Sequence, residues 1–222
     1  MLPRHEQVWL SAAGWAAARA QVSAVHHAAI DQWQAADWPL IARRHEADCP
    51  LDWTCLGLSL PPQGIDKIRA ALRLPKHYIK SHLPPLAIAA LSMPLRADWR
   101  VALDALQLAV ARQQLTVQVV GSAALQAITG LPYLQSGSDL DLLLQPTSLA
   151  QLDDGIDLLR QHADRLPLDG EVIFPNGDAV AWKEWCIADK SNARVLAKNV
   201  MRVALLQRDV LLQTLSPHVC LS

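Results

Sequence analysis

Val119-Val120-Gly121-Ser122-Ala123-Ala124-Leu125-Gln126-Ala127-Ile128-Thr129-Gly130, followed by Ser138-Asp139-Leu140-Asp141-Leu142-Leu143-Leu144, decides how this chain folds. The stretch reads as a buried strand, a glycine-serine turn, a short helix, a loop and a second buried strand. That second strand opens with two carboxylates two residues apart. In a strand this spacing sets both side chains on one face, because successive side chains alternate. Carboxylates held side by side repel each other unless a cation or a proton lies between them. A Gly-Ser turn leading into a helix offers backbone N–H groups to an anion. A side chain at Gly121 would block that approach. A cation site beside an anion site points to metal-bound polyphosphate.

Outward from this stretch the pattern alternates helix and strand. Residues 98–114 place Trp99, Ala102, Leu103, Leu106, Leu108 and Val110 at helical intervals. Residues 115–120 form a β-branched run, hence a strand. The short helix 123–129 stops at Gly130. Leu140 to Leu144 is apolar enough to lie in the middle of a sheet. Thr147-Ser148 caps a helix running to about residue 164, with Leu149, Leu152, Ile156 and Leu159 as its buried stripe. Residues 170–174 read as a strand, Pro175-Asn176-Gly177-Asp178 as a hairpin turn and 179–182 as the return strand. A helical turn over 183–187, strands over 195–198 and 200–205, and a helix over 208–215 complete the chain.

The N-terminal part reads differently. Residues 8–10 fit a strand or a helix start, and the alanine-rich run 12–35 holds one or two helices. Residues 53–60 alternate as a strand. Residues 67–74 fit a helix by propensity or a strand by alternation. The strand is preferred, because Pro75 follows and Lys67, Arg69 and Arg73 make a wet face. Residues 76–85 read as a turn of helix and a linker, with the boundary at Pro84-Pro85. The expected organisation is a small α+β domain over 1–85 and a second α/β domain over 86–222.

Composition bounds the function. The chain has 222 residues, 51% of them hydrophobic, and a net charge of -1, which suits a folded enzyme-sized core and not a general nucleic-acid binder. Cys49, Cys55, Cys186 and Cys220 contain no CxxC pair and no Cys/His cluster at zinc spacing, so they read as mostly buried thiols of a reducing cytosol. No segment approaches the roughly 20 apolar residues of a membrane span. Met1-Leu2-Pro3-Arg4-His5-Glu6 lacks the pattern of a signal peptide. A cytoplasmic location is expected, with neither membrane nor nucleic acid as partner. Tryptophan, with eight copies against one Phe, is the expected large core filler.

A glycine-serine turn followed by a paired-aspartate strand resembles the nucleotidyltransferase fold. That resemblance implies a mixed sheet flanked by helices and a third carboxylate on a later strand of the same sheet. Glu171 is chosen for it: Asp169 precedes Gly170 and reads as a loop residue, and Asp178 sits in the Asn-Gly-Asp turn. Asp139 and Asp141 would hold Mg²⁺ against substrate phosphates. Gly121 and Ser122 would grip the terminal phosphates, although Ser122 fits a helix cap equally well. Glu171 would complete a second metal site or help deprotonate the attacking hydroxyl. Lys183 and Lys198 are candidate phosphate contacts.

With Arg4-His5, Val8-Trp9-Leu10, Leu86, Tyr133-Leu134 and Val180-Ala181-Trp182-Lys183-Glu184 added, the whole resembles the malonate decarboxylase holo-acyl-carrier-protein synthase (phosphoribosyl-dephospho-CoA transferase) family. The resemblance implies triphosphoribosyl-dephospho-CoA as donor and a serine of the malonate decarboxylase acyl-carrier subunit as acceptor, with Asp139 and Asp141 as the catalytic pair. The basic residues Lys67, Arg69, Arg73, Lys76, His77, Lys80 and His82 would then dock a polyanion, or simply form a solvated face. Two rival readings are a nucleotidyltransferase using an ordinary nucleoside triphosphate and a non-catalytic binding module of the same fold.

Overall fold

The computed structural model describes residues 1–62, 69–91, 95–188 and 193–215. It divides into two compact units, Met1–Pro85 with Ile128–Tyr133, and Leu86–Ala127 with Leu134–Ser222. Each unit carries its own sheet with helices, in keeping with the mixed α/β class.

In the first unit, strands β1 (Gln7–Leu10), β2 (Leu40–Ala42), β3 (Trp53–Ser59), β4 (Arg69–Pro75) and β5 (Ile79–Leu83) form an antiparallel sheet in the order β4-β3-β2-β1-β5. Helices α1 (Ala12–Gln21) and α2 (His27–Ala35) divide the alanine-rich run. The Ser11 hydroxyl starts α1 by accepting a hydrogen bond from the Gly14 N–H. The helices bury Trp15, Ala18, Ile30 and Trp33, and Trp33 meets Trp38 edge-on at 4.9 Å. Tyr133 belongs to this unit too: its ring is buried and its hydroxyl donates to the Ser59 carbonyl at 2.7 Å. Burial pushes its phenol pKa up.

The alternation over 67–74 resolves as strand β4, with Leu72 and Leu74 buried; Lys67 and Ile68 lie outside the described residues. Strand β5 replaces the linker expected over that region. Only a 3-10 turn at Lys76–Tyr78 precedes it, and it pairs along β1. Four of its five residues are exposed, so no apolar alternation marks it.

The second unit holds β6 (Leu86–Ala87), β7 (Val117–Val119), β8 (Leu140–Leu144), β9 (Leu168–Ile173), β10 (Ala179–Ala181), β11 (Arg194–Lys198) and β12 (Val203–Gln207), in the order β12-β11-β10-β9-β8-β7-β6. Its helices are α3 (Arg100–Arg112), α4 (Gly121–Thr129, whose last turn belongs to the first unit), α5 (Leu149–His162), α6 (Trp182–Ile187) and α7 (Arg208–Leu212). The β8–β9 pair is parallel, and α5 makes the crossover that parallel neighbours need. The Ser148 hydroxyl caps α5 by accepting from the Gln151 N–H at 3.2 Å. Leu152, Ile156 and Leu159 are buried as expected, whereas Leu149, in the open first turn, is 48% exposed. On α3, Leu108 lies about 200° round the helix from buried Leu106, at 3.6 residues per turn, and faces solvent. The core gathers Leu106, Val119, Leu140, Val172, Val180, Val195 and Leu211, and Phe174 packs on Trp185 at 5.0 Å. Trp15, Trp33, Trp99, Trp182 and Trp185 are buried, so tryptophan does fill the cores. No helix among the described residues is long and apolar enough to cross a membrane.

Candidate active site

The site is built by alternation on β8. Leu140, Leu142 and Leu144 enter the core, so Asp141 stands on the opposite face. The parallel register sets Asp141 beside Asp169 and Leu143 beside Glu171. In the next pairs Ala181 lies beside Glu171, and Ala179 lies beside both Ile173 and Lys198. One face of three neighbouring strands and the next therefore carries Asp141, Asp169, Glu171 and Lys198. Asp139 precedes β8 by one residue and is exposed.

Asp169 corrects the sequence reading. It is no loop residue: β9 begins at buried Leu168, and Asp169 is the register partner of Asp141. The signal was the alternation of Leu168 and Val172 through Gly170, which starts two residues before the strand that Gly170 alone suggests. Asp178 is a structural carboxylate. It is buried, accepts from the side-chain amides of Asn176 and Asn199, and lies 3.5 Å from Arg202.

Gly121 opens α4 with φ +67, a left-handed conformation that L side chains avoid. A Cβ built there would lie 2.3 Å from Asp141 Oδ2. The Val120 N–H donates to the Asp141 carbonyl at 3.0 Å, so the turn and the aspartate are held against each other. Ser122 lies in the first turn of α4 and makes no capping hydrogen bond among the described residues. The glycine-serine turn and the aspartate strand are thus one local structure.

The two lysines join the same face. Lys183 Nζ lies 3.5 Å from Asp169 Oδ1, and Lys198 Nζ lies 3.5 Å from Glu171 Oε1. Partly exposed pairs of this kind contribute about 0–1 kcal/mol. Either ammonium can therefore exchange its carboxylate for a phosphate at little cost. Among the described residues the acidic face gathers no three carboxylates within metal-sharing distance. Among the described residues only His45, Cys49 and Cys55 bring three ligand atoms within 4.8 Å of one another.

The basic residues near β4 and β5 are largely engaged locally. Arg73 binds Glu46 and Asp48, His82 lies 2.7 Å from Glu6, and Lys76 donates to the Leu51 carbonyl.

Residues 3–85 match the model of the phosphoribosyl-dephospho-CoA transferase MdcG N-terminal domain, and residues 85–209 match that of the MdcG C-terminal domain. The chain belongs to the phosphoribosyl-dephospho-CoA transferase family. A phosphoribosyl-dephospho-CoA transferase of Xanthomonas campestris pv. campestris (strain 8004) is 36% identical over 189 residues, covering 83% of this chain and 86% of the relative. One from Bradyrhizobium diazoefficiens is 33% identical over 214 residues, covering 92% and 90%. No solved structure matches the chain. The acidic face, the glycine-serine turn and both lysines of this transferase all fall within the C-terminal match.

Proposed function

We propose that the chain transfers the phosphoribosyl-dephospho-CoA group from triphosphoribosyl-dephospho-CoA to a serine of the acyl-carrier subunit of malonate decarboxylase. The serine oxygen bonds to the phosphorus attached to the ribose, the bond from that phosphorus to the next phosphate breaks, and pyrophosphate leaves. The proton of the serine hydroxyl passes to a carboxylate of the acidic face. What supports this reading is membership of the transferase family across both units, combined with the contact of Gly121 on Asp141.

The donor set suits Mg²⁺. That ion takes one or two protein carboxylates and fills its remaining positions with water and phosphate oxygens, so Asp139 and Asp141 suffice without a closed cluster. The gap at Gly121, which a Cβ would fill, leaves the Asp141 carboxylate approachable from the turn. Bound Mg²⁺ would supply charge neutralisation for the polyphosphate and the departing pyrophosphate. The backbone N–H groups at the start of α4 orient the terminal phosphates, and Lys183 and Lys198 hold the phosphate chain. For the third carboxylate the register favours Asp169, which sits directly beside Asp141; Glu171 lies two pairs further along, beside Leu143.

The test is direct. The protein is mixed with Mg²⁺, the triphosphoribosyl donor and the apo-carrier subunit, and the carrier is weighed by mass spectrometry. The expected increment is one phosphoribosyl-dephospho-CoA group. No increment, or a nucleotide increment with ATP in place of the donor, would overturn the assignment. Asp139→Ala and Asp141→Ala abolish the increment while the melting curve stays cooperative.

A further inference from the structure

The acidic face makes no use of the one place where the described residues gather three metal-ligand atoms. His45, Cys49 and Cys55 lie in the first unit, and all three are buried. The Sγ atoms of Cys49 and Cys55 and a ring nitrogen of His45 fall within 4.8 Å of one another. The spacing, His-x₃-Cys-x₅-Cys, matches no common zinc motif, so the sequence alone does not mark it. The fold assembles it: Cys55 sits in the middle of β3, and the segment between β2 and β3 turns back so that Cys49 and His45 face it.

Three observations give this cluster the character of a ligand set. First, His45 Nε2 lies 2.9 Å from the Cys49 carbonyl. A carbonyl only accepts, so Nε2 carries a hydrogen and Nδ1 is the nitrogen left to offer a lone pair. A ring whose far N–H is anchored on a carbonyl is the usual support of a metal-bound histidine. Second, two thiols and an imidazole form a soft donor set that selects zinc-like ions over Mg²⁺. Third, Arg73, the register partner of Cys55, has its guanidinium committed to Glu46 and Asp48, so its charge is balanced and does not repel a cation at the site.

We propose that His45, Cys49 and Cys55 form a binding site for Zn²⁺ or a similar soft divalent ion, which ties the segment between β2 and β3 onto the sheet of the first unit. Among the described residues no fourth ligand atom joins the three, and the nearby Glu46 is held by Arg43 and Arg73, which leaves the fourth position of a tetrahedral ion to a non-protein ligand.

Co²⁺ reports on such a site through thiolate-to-cobalt charge-transfer absorption and tetrahedral d–d bands. The full-length, reduced, metal-free chain is titrated with Co²⁺ and then with Zn²⁺. The expected result is saturation at one equivalent, displacement by Zn²⁺, full retention in Cys186→Ser and loss in Cys49→Ser and Cys55→Ser. His45→Gln weakens binding and shifts the d–d bands. Absence of the charge-transfer band in the wild type overturns the proposal without recourse to any variant. Persistence of the band in the Cys49→Ser/Cys55→Ser double variant does the same. So does an intact mass showing Cys49 and Cys55 joined as a disulfide in the chain as purified. None of these readouts depends on transferase activity.

Discussion

Replacing Gly121 with alanine tests the central contact of the proposed site. The new Cβ would lie 2.3 Å from Asp141 Oδ2, where ordinary contact begins near 3.4 Å. The carboxylate must therefore retreat by about 1 Å, since the turn itself is tied to the Asp141 backbone through the Val120 N–H. A displacement of that size at a reacting centre costs roughly 100-fold in rate, or about 2.7 kcal/mol of transition-state stabilisation at 1.36 kcal/mol per tenfold. Separately, a non-glycine residue at φ +67 costs about 1–2 kcal/mol of stability. For a chain of this size that is roughly 2–8 °C in melting temperature. Gly177→Ala separates the two effects. Gly177 has φ +82 in the β9–β10 turn and nothing within 4 Å of its built Cβ. It should lose comparable stability and keep its activity. The assay is the rate of mass gain on the carrier subunit, alongside thermal melts of both variants. Wild-type transfer by Gly121→Ala would refute the idea that this turn positions the Asp141 carboxylate.

Other outcomes follow from the same geometry. Asp169→Asn should depress kcat for transfer by at least tenfold, and more than Glu171→Gln does; the reverse ranking in steady-state kinetics would return the third-carboxylate role to Glu171. Lys198→Ala should raise KM for the donor with a smaller effect on kcat, because its ion pair with Glu171 is weak and its charge serves phosphate; an unchanged KM would remove it from the donor site. Leu142→Ala should destabilise the second unit by about 2–5 kcal/mol, since Leu142 is 1% exposed within the core, and denaturant unfolding would reveal a smaller loss. In the first unit, partial burial works against the Glu46 charge, but hydrogen bonds from Arg73 and Arg43 outweigh it and hold its carboxyl below the ordinary value of 4.5. A carboxyl depressed in the folded state contributes stability above its unfolded pKa and loses it as pH falls through the folded value. Melting temperature should accordingly drop below about pH 4.5, and less so in Glu46→Gln; identical acid profiles would dismiss the pair as a source of stability.

Local pattern was enough for much of this protein. The leucines of Leu140-Asp141-Leu142-Leu143-Leu144 announce a strand in the middle of a sheet, Ser148 ahead of a periodic run announces a capped helix, and Asn176-Gly177 announces a hairpin; each is present. These signals are carried by neighbours along the chain, whose side-chain directions follow from strand alternation and helical periodicity alone. The placement of Asp139 and Asp141 at the head of that strand was legible for the same reason, as was the family through its motif order.

Tertiary structure decided what depends on pairing between distant segments. An edge strand with four exposed residues, β5, has no apolar alternation, and only its hydrogen bonds to β1 make it a strand. Asp169 became the neighbour of Asp141 through the parallel register of β8 and β9, which the α5 crossover sets and no local spacing encodes. His45, Cys49 and Cys55 converge because the segment before β3 folds back on it. The sequence by itself determined that two aspartates, Asp139 and Asp141, stand at the start of a buried strand. Which side chains stand beside that pair was decided by strand register, because only backbone pairing brings residues far apart in the chain onto one face.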